Sequence, residues 1–190
     1  SGNVKIGVPT VTTTLRGLVD AIIEVDQPMR PIHSGVGGGV VPDAFMVLSR
    51  IIASFHNEKG ELMIEGLTPT DMQVTELEES FMKKMLGSDE INLFDTESIS
   101  KRLWLEPALD VLAIDAPAVK DAVNLVIPKA SAKISLRLPP TEDPEHAMKM
   151  LEEHVMKNIP WNASVKFIPN SKGFGVVADP NKPFTTELVN

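Results

Sequence analysis

The 190-residue sequence contains no cysteine, so it can form neither a disulfide nor a thiolate metal site. Disulfides are typical of secreted proteins, whereas thiols stay reduced in the cytosol. A chain without cysteine fits a reducing compartment, and we therefore expect this protein in the cytoplasm.

Long apolar runs and a surplus of basic residues are also missing. The runs at 44–48 and 111–114 fall far short of the roughly 20 apolar residues that a membrane-spanning helix needs. The formal net charge is -8, and the Lys and Arg residues are scattered, so no basic stripe is available to neutralise phosphates. We expect neither a membrane nor a nucleic acid as a partner.

Hydrophobic residues make up 43% of the chain, which is typical of a globular domain, and their periodicity predicts both strands and helices. Period-2 patterns and β-branched residues predict strands at 11–25, 61–66, 108–114, 132–138 and 164–168. Helical spacing predicts helices at 43–55, from Thr70 or Asp71 to about Leu86, at 98–103, and from a cap within 141–144 to Met156. This order predicts an α+β fold, a two-layer sandwich in which two helices cover one face of a four-stranded, mainly antiparallel sheet.

The chain reads as one domain, because no internal repeat or low-complexity tract divides it. We place the domain at residues 4–178 and a helical insertion within it at about 68–106. Residues 179–190 begin with Asp179-Pro180-Asn181-Lys182-Pro183, a composition that disfavours regular structure. We expect them to be a connector that leads to another domain.

The most informative stretch is 30–39, which places one histidine among glycines just ahead of an apolar helix. Glycines such as Gly35, Gly38 and Gly39 allow a close approach of backbone or ligand, so we expect a tight, exposed loop and not a packed strand. The imidazole of His33 could donate a hydrogen bond to an oxyanion or ligate a metal. A flexible loop with a solvated histidine is the alternative.

The other histidines offer no metal site. His56, His146 and His154 lie on predicted helices or at a helix end, among charged neighbours, where we expect them to be solvated. His146 and His154 can share a helix face, but two turns separate them too widely for one ion. We therefore predict no metal site in this chain.

Two familiar catalytic motifs can be rejected. Ser34 and His33 are adjacent, and adjacent residues rarely face each other with the geometry of a Ser-His-Asp triad; no nucleophile elbow is present either. The glycine run at 37–39 lacks the spacing and the lysine of a phosphate-binding loop.

Two more polar residues are candidates for ligand binding. Arg137 ends an apolar alternation, where its guanidinium could bind a carboxylate through two hydrogen bonds. The alternative is an exposed arginine on an edge strand with no partner. Asn124 precedes an apolar segment and could bind a ligand, although a turn-forming asparagine is the commoner explanation.

Taken together, these segments resemble the lid, or dimerisation, domain of the di-zinc metallopeptidase family that includes carnosinase-like dipeptidases, acetylornithine deacetylase and succinyl-diaminopimelate desuccinylase. The resemblance covers nearly the whole chain. It rests on Thr13-Thr14-Leu15-Arg16-Gly17, His33-Ser34-Gly35 with Gly38-Gly39 and Pro42-Asp43, Arg102-Leu103-Trp104, Ile114-Asp115-Ala116-Pro117, and Asn124 to Pro128 followed by Ser135-Leu136-Arg137. The motifs at 102–104 and 114–117 favour the dipeptidase-like members.

The resemblance implies a ferredoxin-like lid inserted into a catalytic chain that is missing here and that holds two zinc ions. It implies that His33 steadies an oxyanion in the partner subunit's active site and that Arg137 holds the terminal carboxylate of a peptide or N-acyl amino-acid substrate. Asn124 would support substrate binding near Arg137. Many members have Asp two residues before this histidine, and here Pro31 stands in its place.

By the same resemblance, the chain is inactive alone and forms a homodimer. We expect the dimer contacts on the helix at 43–55 and on a neighbouring edge strand. A free-standing protein-interaction or small-ligand-binding module of the same fold is the alternative, because fold alone does not fix function. A complete enzyme that works through His33 is a third hypothesis, which requires amidase activity in the purified chain.

Overall fold

The computed structural model describes residues 12–178. The strands are β1 Thr14–Leu15, β2 Gly17–Asp26, β3 Ile32–His33, β4 Ala108–Asp115, β5 Leu125–Val126, β6 Lys129–Leu138, β7 Val165–Gly173 and β8 Val176–Val177. The α-helices are α1 Ser34–Gly37, α2 Ala44–Ala53, α3 Glu79–Leu86, α4 Ile99–Trp104 and α5 Pro144–Lys157. Within this part of the chain, no helix has the length and apolarity needed to span a membrane. Residues 4–11 of the predicted domain and the predicted connector at 179–190 lie outside the described residues.

A four-stranded sheet in the order β4-β6-β2-β7 forms the centre of the fold. All three neighbouring pairs are antiparallel, as the sequence predicted. The central pair, β2 with β6, runs without interruption from Gly17 opposite Leu138 to Asp26 opposite Lys129. Two short pairs, β1 with β8 and β3 with β5, lie outside this sheet.

Helices α2 and α5 cover one face of the sheet, which confirms the predicted two-layer sandwich. Alternate residues of β2, from Val19 to Val25, are fully buried beneath them, because side chains of a strand alternate between its two faces. The helices bury residues at helical spacing, among them Leu48 and Ile51 of α2 and Leu151 of α5. Each such side chain contributes about 1.5–3 kcal/mol when it leaves water.

Side-chain caps fix the starts of three helices where the sequence predicted them. Asp43 accepts a hydrogen bond from the Met46 N–H at 3.0 Å, at the start of α2. Asp143 accepts one from the Glu145 N–H at 2.7 Å, at the start of α5. Ser98 caps α4 in the same way. Caps of this kind typically stabilise a helix by about 1 kcal/mol.

The predicted strand at 61–66 is wrong. This segment forms one isolated bridge, between His56 and Leu62, and no ladder. Gly60 and Gly66 on either side have positive φ angles of 74° and 86°, so the backbone turns at both ends of the segment. The apolar alternation reflects the burial of Ile64 in the core and not pairing with a strand.

The predicted helix from residue 70 or 71 to about 86 is wrong in its first half, because only α3 is helical. The backbone ahead of α3 is bound to the start of α4. The Leu77 N–H donates to the Ser100 Oγ at 2.7 Å, and this hydroxyl donates to the Thr75 carbonyl at 2.8 Å. These backbone groups are therefore not available for the i to i-4 bonds of a helix.

Two strand predictions need correction at their ends. The strand predicted at 11–25 breaks at Arg16 into β1 and β2. The strand predicted at 164–168 continues through a bulge to Gly173. Residue Thr14 of β1 pairs with Val177 of β8, so the two ends of the described chain lie side by side.

Candidate functional site

His33 is the last residue of β3 and the N-cap of the single helical turn α1. Its backbone pairs with Leu125 of β5, and its Nδ1 accepts a hydrogen bond from the Gly35 N–H at 3.0 Å. The predicted loop is therefore a short strand followed by a helical turn, which corrects our expectation that no strand is formed here. The prediction that the imidazole is exposed is confirmed.

The bond to Gly35 determines which ring nitrogen of His33 carries the proton. A neutral imidazole has one donor nitrogen and one acceptor nitrogen. Because Nδ1 accepts the backbone N–H, the neutral ring carries its hydrogen on Nε2. An exposed Nε2–H is a donor suited to an oxygen atom that develops negative charge.

Two of the predicted loop glycines are required by the geometry of this turn. A Cβ at Gly38 would lie 2.3 Å from the carbonyl oxygen of Ser34, which is closer than any real Cβ contact. Gly39 has a φ of 78°, a conformation that disfavours residues with a side chain. At Gly35, a Cβ would lie 3.1 Å from the His33 Nδ1 and would crowd the capping bond.

Asn124 lies beside His33. Its carbonyl oxygen accepts a hydrogen bond from the Ser34 N–H at 2.9 Å, and the next residue, Leu125, pairs with His33. The Asn124 side chain is exposed. The structure therefore brings together two of the three site residues that the sequence predicted.

Arg137 lies at the other end of the sheet. Asn124 precedes Lys129 at the start of β6, and Arg137 is eight residues further along this strand. Because a strand rises about 3.3 Å per residue, Arg137 is about 26 Å from the end that carries His33. Asn124 and Arg137 of one chain therefore lie at opposite ends of the sheet.

The environment of Arg137 also differs from the alternative that the sequence left open, an exposed arginine on an edge strand. Strand β6 is internal to the sheet, so Arg137 is not on an edge strand. Its side chain is nevertheless exposed, because its neighbours Leu136 and Leu138 face the helices and Arg137 faces the opposite side. We call this opposite side the open face of the sheet.

Asp20 lies on the same open face, one strand away. Partial burial acts to raise the pKa of Asp20, but hydrogen bonds from Ser135 and Ser171 and the charges of Lys133 and Arg137 lower it more. The net pKa is below the usual value, so this carboxylate is ionised at neutral pH. Arg137 thus stands on a polar, charged surface.

The other three histidines have different surroundings. His154 is half-buried, and the expectation that it is solvated is wrong. Its Nε2 lies 3.0 Å from the Ser54 Oγ, its ring stacks on Phe55 at 5.3 Å, and burial lowers its pKa. His56 is also partly buried, so the same expectation is wrong for it, and burial lowers its pKa. His146 is exposed, as expected.

The predicted site residues His33, Asn124 and Arg137 are exposed at the surface. A groove of about 1080 Å³ beside α4 and a cavity of about 390 Å³ between α4 and β4 are lined by other residues. Between residues 12 and 178, no group of three or more His, Cys, Asp or Glu residues is placed to hold a metal ion. The exposed donors can therefore meet groups that another domain or chain supplies.

Comparison with known families identifies the domain. Residues 13–163 match the family model described as the peptidase dimerisation domain. The chain belongs to this family. The match confirms the resemblance that the sequence motifs carry.

Relatives of the chain include known dipeptidases. It is 36% identical over 186 residues to the cysteinylglycine-S-conjugate dipeptidase of Corynebacterium striatum. The matched residues make up 96% of this chain and 41% of that protein. It is 29% identical over 161 residues to a Cys-Gly metallodipeptidase of Schizosaccharomyces pombe, covering 78% of this chain and 34% of that protein. The peptidase dimerisation domain thus spans about two fifths or less of the length of these relatives.

Solved structures share the fold of this domain. A metallo-carboxypeptidase from Sulfolobus solfataricus superposes with a TM-score of 0.76 at 21% identity, covering 95% of this chain and 49% of that one. Human carnosine dipeptidase 1 superposes with a TM-score of 0.74 at 18% identity, covering 97% of this chain and 42% of that one. At these identities the likeness concerns the fold alone.

The capping role of His33 is the part of the site that sequence reasoning missed. Histidine is not among the usual N-cap residues, which are Ser, Thr, Asp and Asn. A detectable signal was the sequence His33-Ser34-Gly35, in which the second residue after the histidine offers an N–H within reach of Nδ1.

The tautomer of His33 can be measured directly. In long-range 1H–15N spectra of the 190-residue chain at alkaline pH, where imidazoles are neutral, His33 should show the pattern of a proton on Nε2. His146 is an internal control, because its Nδ1 lies 2.7 Å from the Glu142 Oε1 and should carry the proton instead. A proton on Nδ1 of His33 would contradict the capping bond.

Proposed function

We propose that this chain is the dimerisation and substrate-capping domain of a zinc-dependent dipeptidase or related amidohydrolase. The domain would span residues 4–178, with the insertion at about 68–106, and residues 179–190 would lead toward a catalytic domain. The names of its relatives support a peptide substrate. The pairing of β1 with β8 supports insertion into another domain, because both ends of the described chain leave at one place.

The observation that carries this proposal is the exposed imidazole of His33, whose Nδ1 accepts a hydrogen bond from the Gly35 N–H and which therefore presents an Nε2–H donor. In such an enzyme, zinc ions in the catalytic domain would activate the attacking water and polarise the scissile carbonyl. His33 would donate a hydrogen bond to the carbonyl oxygen as negative charge develops on it. A fixed donor of this kind contributes about 2.7–4 kcal/mol to the stability of a transition state.

The distance between the two ends of the sheet divides the site residues between two active sites. An extended dipeptide spans about 7 Å, whereas β6 extends about 26 Å from Lys129, at the end of the sheet near His33, to Arg137. One chain cannot bind one dipeptide through both residues. We therefore assign His33 and Asn124 to the partner subunit's active site and Arg137 to the carboxylate of a substrate in its own subunit.

The edge strand β4 is the surface that we propose for the homodimer. Its exposed residues include the apolar side chains Val111, Leu112 and Ile114. Helix α2 packs over β2 and β6, on the β4 side of the sheet, and exposes Phe45 and Met46. Exposed apolar residues on an unpaired edge favour pairing with a second copy.

The opposite edge, β7, is less suited to pairing. It contains Pro169, which has no N–H to donate. Lys166 and Lys172 add charge to the same strand. Prolines and lysines are among the features that protect natural edge strands from association.

Solution mass tests the assignment of the dimer edge. We expect light scattering to give about twice 20.7 kDa for the unaltered chain. The Leu112→Lys variant should give the mass of a monomer, because the lysine places a charge in the apolar contact. Ile168→Lys on β7, where the isoleucine is 39% exposed, is the matched control and should leave the dimer intact. A Leu112→Lys variant that stays dimeric would rule out the β4 contact.

A chimera tests the catalytic contribution of His33. The matching segment of the Corynebacterium striatum dipeptidase would be replaced by this chain, and hydrolysis of a Cys-Gly conjugate would be followed. His33→Ala should lower kcat by about 10²–10³-fold with little change in KM, because the bond forms in the transition state. His146→Ala, an exposed histidine outside the proposed site, is the control. A normal kcat for His33→Ala would refute the proposed role.

For the location of the protein we propose the cytoplasm. The support is the absence of cysteine from all 190 residues, which suits a reducing compartment.

A further inference from the structure

Arg16 connects two of the motifs that identify the family and also contacts Arg137. It occupies the break between β1 and β2. Its Nη1 donates to the Leu103 carbonyl at 2.6 Å, and its Nη2 donates to the Glu106 carbonyl at 3.0 Å. The same Nη2 lies 3.4 Å from the carbonyl oxygen of Arg137. One guanidinium thus joins the end of α4 to the strand that carries the proposed carboxylate site.

The surroundings of Arg16 show that its position is fixed. Burial lowers its pKa, the charge of Arg137 lowers it further, and Asp110 opposes both effects. The carbonyl oxygens of Leu103 and Glu106 accept from two of the guanidinium nitrogens, whereas the buried Nε has no partner among the described residues. The planar fork of arginine suits this geometry, because several donors leave one rigid group in different directions.

We infer that Arg16 is a positioning residue for the carboxylate site at Arg137. Its hydrogen bonds hold the Arg137 backbone and the end of α4 in one arrangement. The two guanidinium groups are close enough that the charge of Arg137 lowers the pKa of Arg16. The positive charge of Arg16 therefore adds to the potential that attracts a carboxylate to Arg137. This inference rests on the proposed function, because it takes Arg137 as the group that binds the substrate carboxylate.

Arg102 offers a matched control, because it also fastens the segment around α4 but makes its hydrogen bonds to residues other than Arg137. Its guanidinium donates to the carbonyl oxygens of Gly60 and Asp95 and lies over the Phe94 ring at 4.8 Å. Loss of either arginine should loosen this segment. Only the loss of Arg16 should weaken the site at Arg137.

The test measures inhibition of the chimeric dipeptidase that carries this chain by N-acetylglycine, which has a carboxylate, and by N-acetylglycinamide, which does not. Arg137→Ala should abolish the binding of N-acetylglycine. Arg16→Met should weaken it by about threefold or more, because residues in one hydrogen-bond network couple at this level. Arg102→Met should bind like the unaltered chain. No variant should bind N-acetylglycinamide more tightly than the unaltered chain does.

The outcomes separate the inference from the proposed function. If Arg137→Ala abolishes binding and Arg16→Met does not weaken it, the role of Arg16 is wrong and the carboxylate site stands. If the unaltered chain does not bind N-acetylglycine, or Arg137→Ala binds it normally, the carboxylate site is wrong and the role of Arg16 falls with it. An equal loss in Arg16→Met and Arg102→Met would also overturn the inference.

Arg16→Lys provides the comparison if Arg16→Met does not fold. Lysine keeps the charge but cannot bridge three carbonyl oxygens with one planar group. We expect this variant to fold and to bind N-acetylglycine more weakly than the unaltered chain. Equal binding would show that charge alone, and not positioning, is what Arg16 contributes.

Discussion

The antiparallel pairing of β2 with β6 is the constraint on which the rest of the structure depends. Its unbroken register, from Gly17 opposite Leu138 to Asp26 opposite Lys129, places the buried apolar residues of both strands, from Val19 to Val25 and from Ala130 to Leu138, beneath the two helices. A slip by one residue would turn Arg137 toward the core and move its apolar neighbours to the open face. An unpaired guanidinium in the core is strongly unfavourable, so the fold and the proposed carboxylate site require the same register.

This ladder also determines how the site residues are shared. It carries the β3 and β5 pair, with His33 and Asn124, at one end and Arg137 at the other. Because the sheet is longer than a dipeptide, the proposed function requires that one domain supply parts of two sites. On this proposal, a dimer partner and a catalytic domain would complete each site, and dimerisation would have a role in the chemistry as well as in stability.

Local patterns made much of the fold predictable from the sequence. The alternation at 132–138 and the aspartate caps at 43 and 143 act over a few residues, and each predicted element is present. The failures involve distant partners. Residues ahead of α3 bind Ser100, and Arg16 binds carbonyl oxygens 87 to 121 residues away, which no local pattern can reveal. His33 and Arg137 were identifiable by motif, but only the topology shows that they lie at opposite ends of the sheet.

The central claim is that His33 and Arg137 of one chain serve different active sites, and mixed dimers test it most directly. Two differently tagged copies of the chimeric dipeptidase, one with His33→Ala and the other with Arg137→Ala, would be co-expressed and the mixed dimers purified through both tags. In a mixed dimer one site keeps both residues, so we predict about half of the unaltered activity from two variants that are each impaired. Activity no higher than that of the single variants would show that both residues act on the same site and would contradict the account.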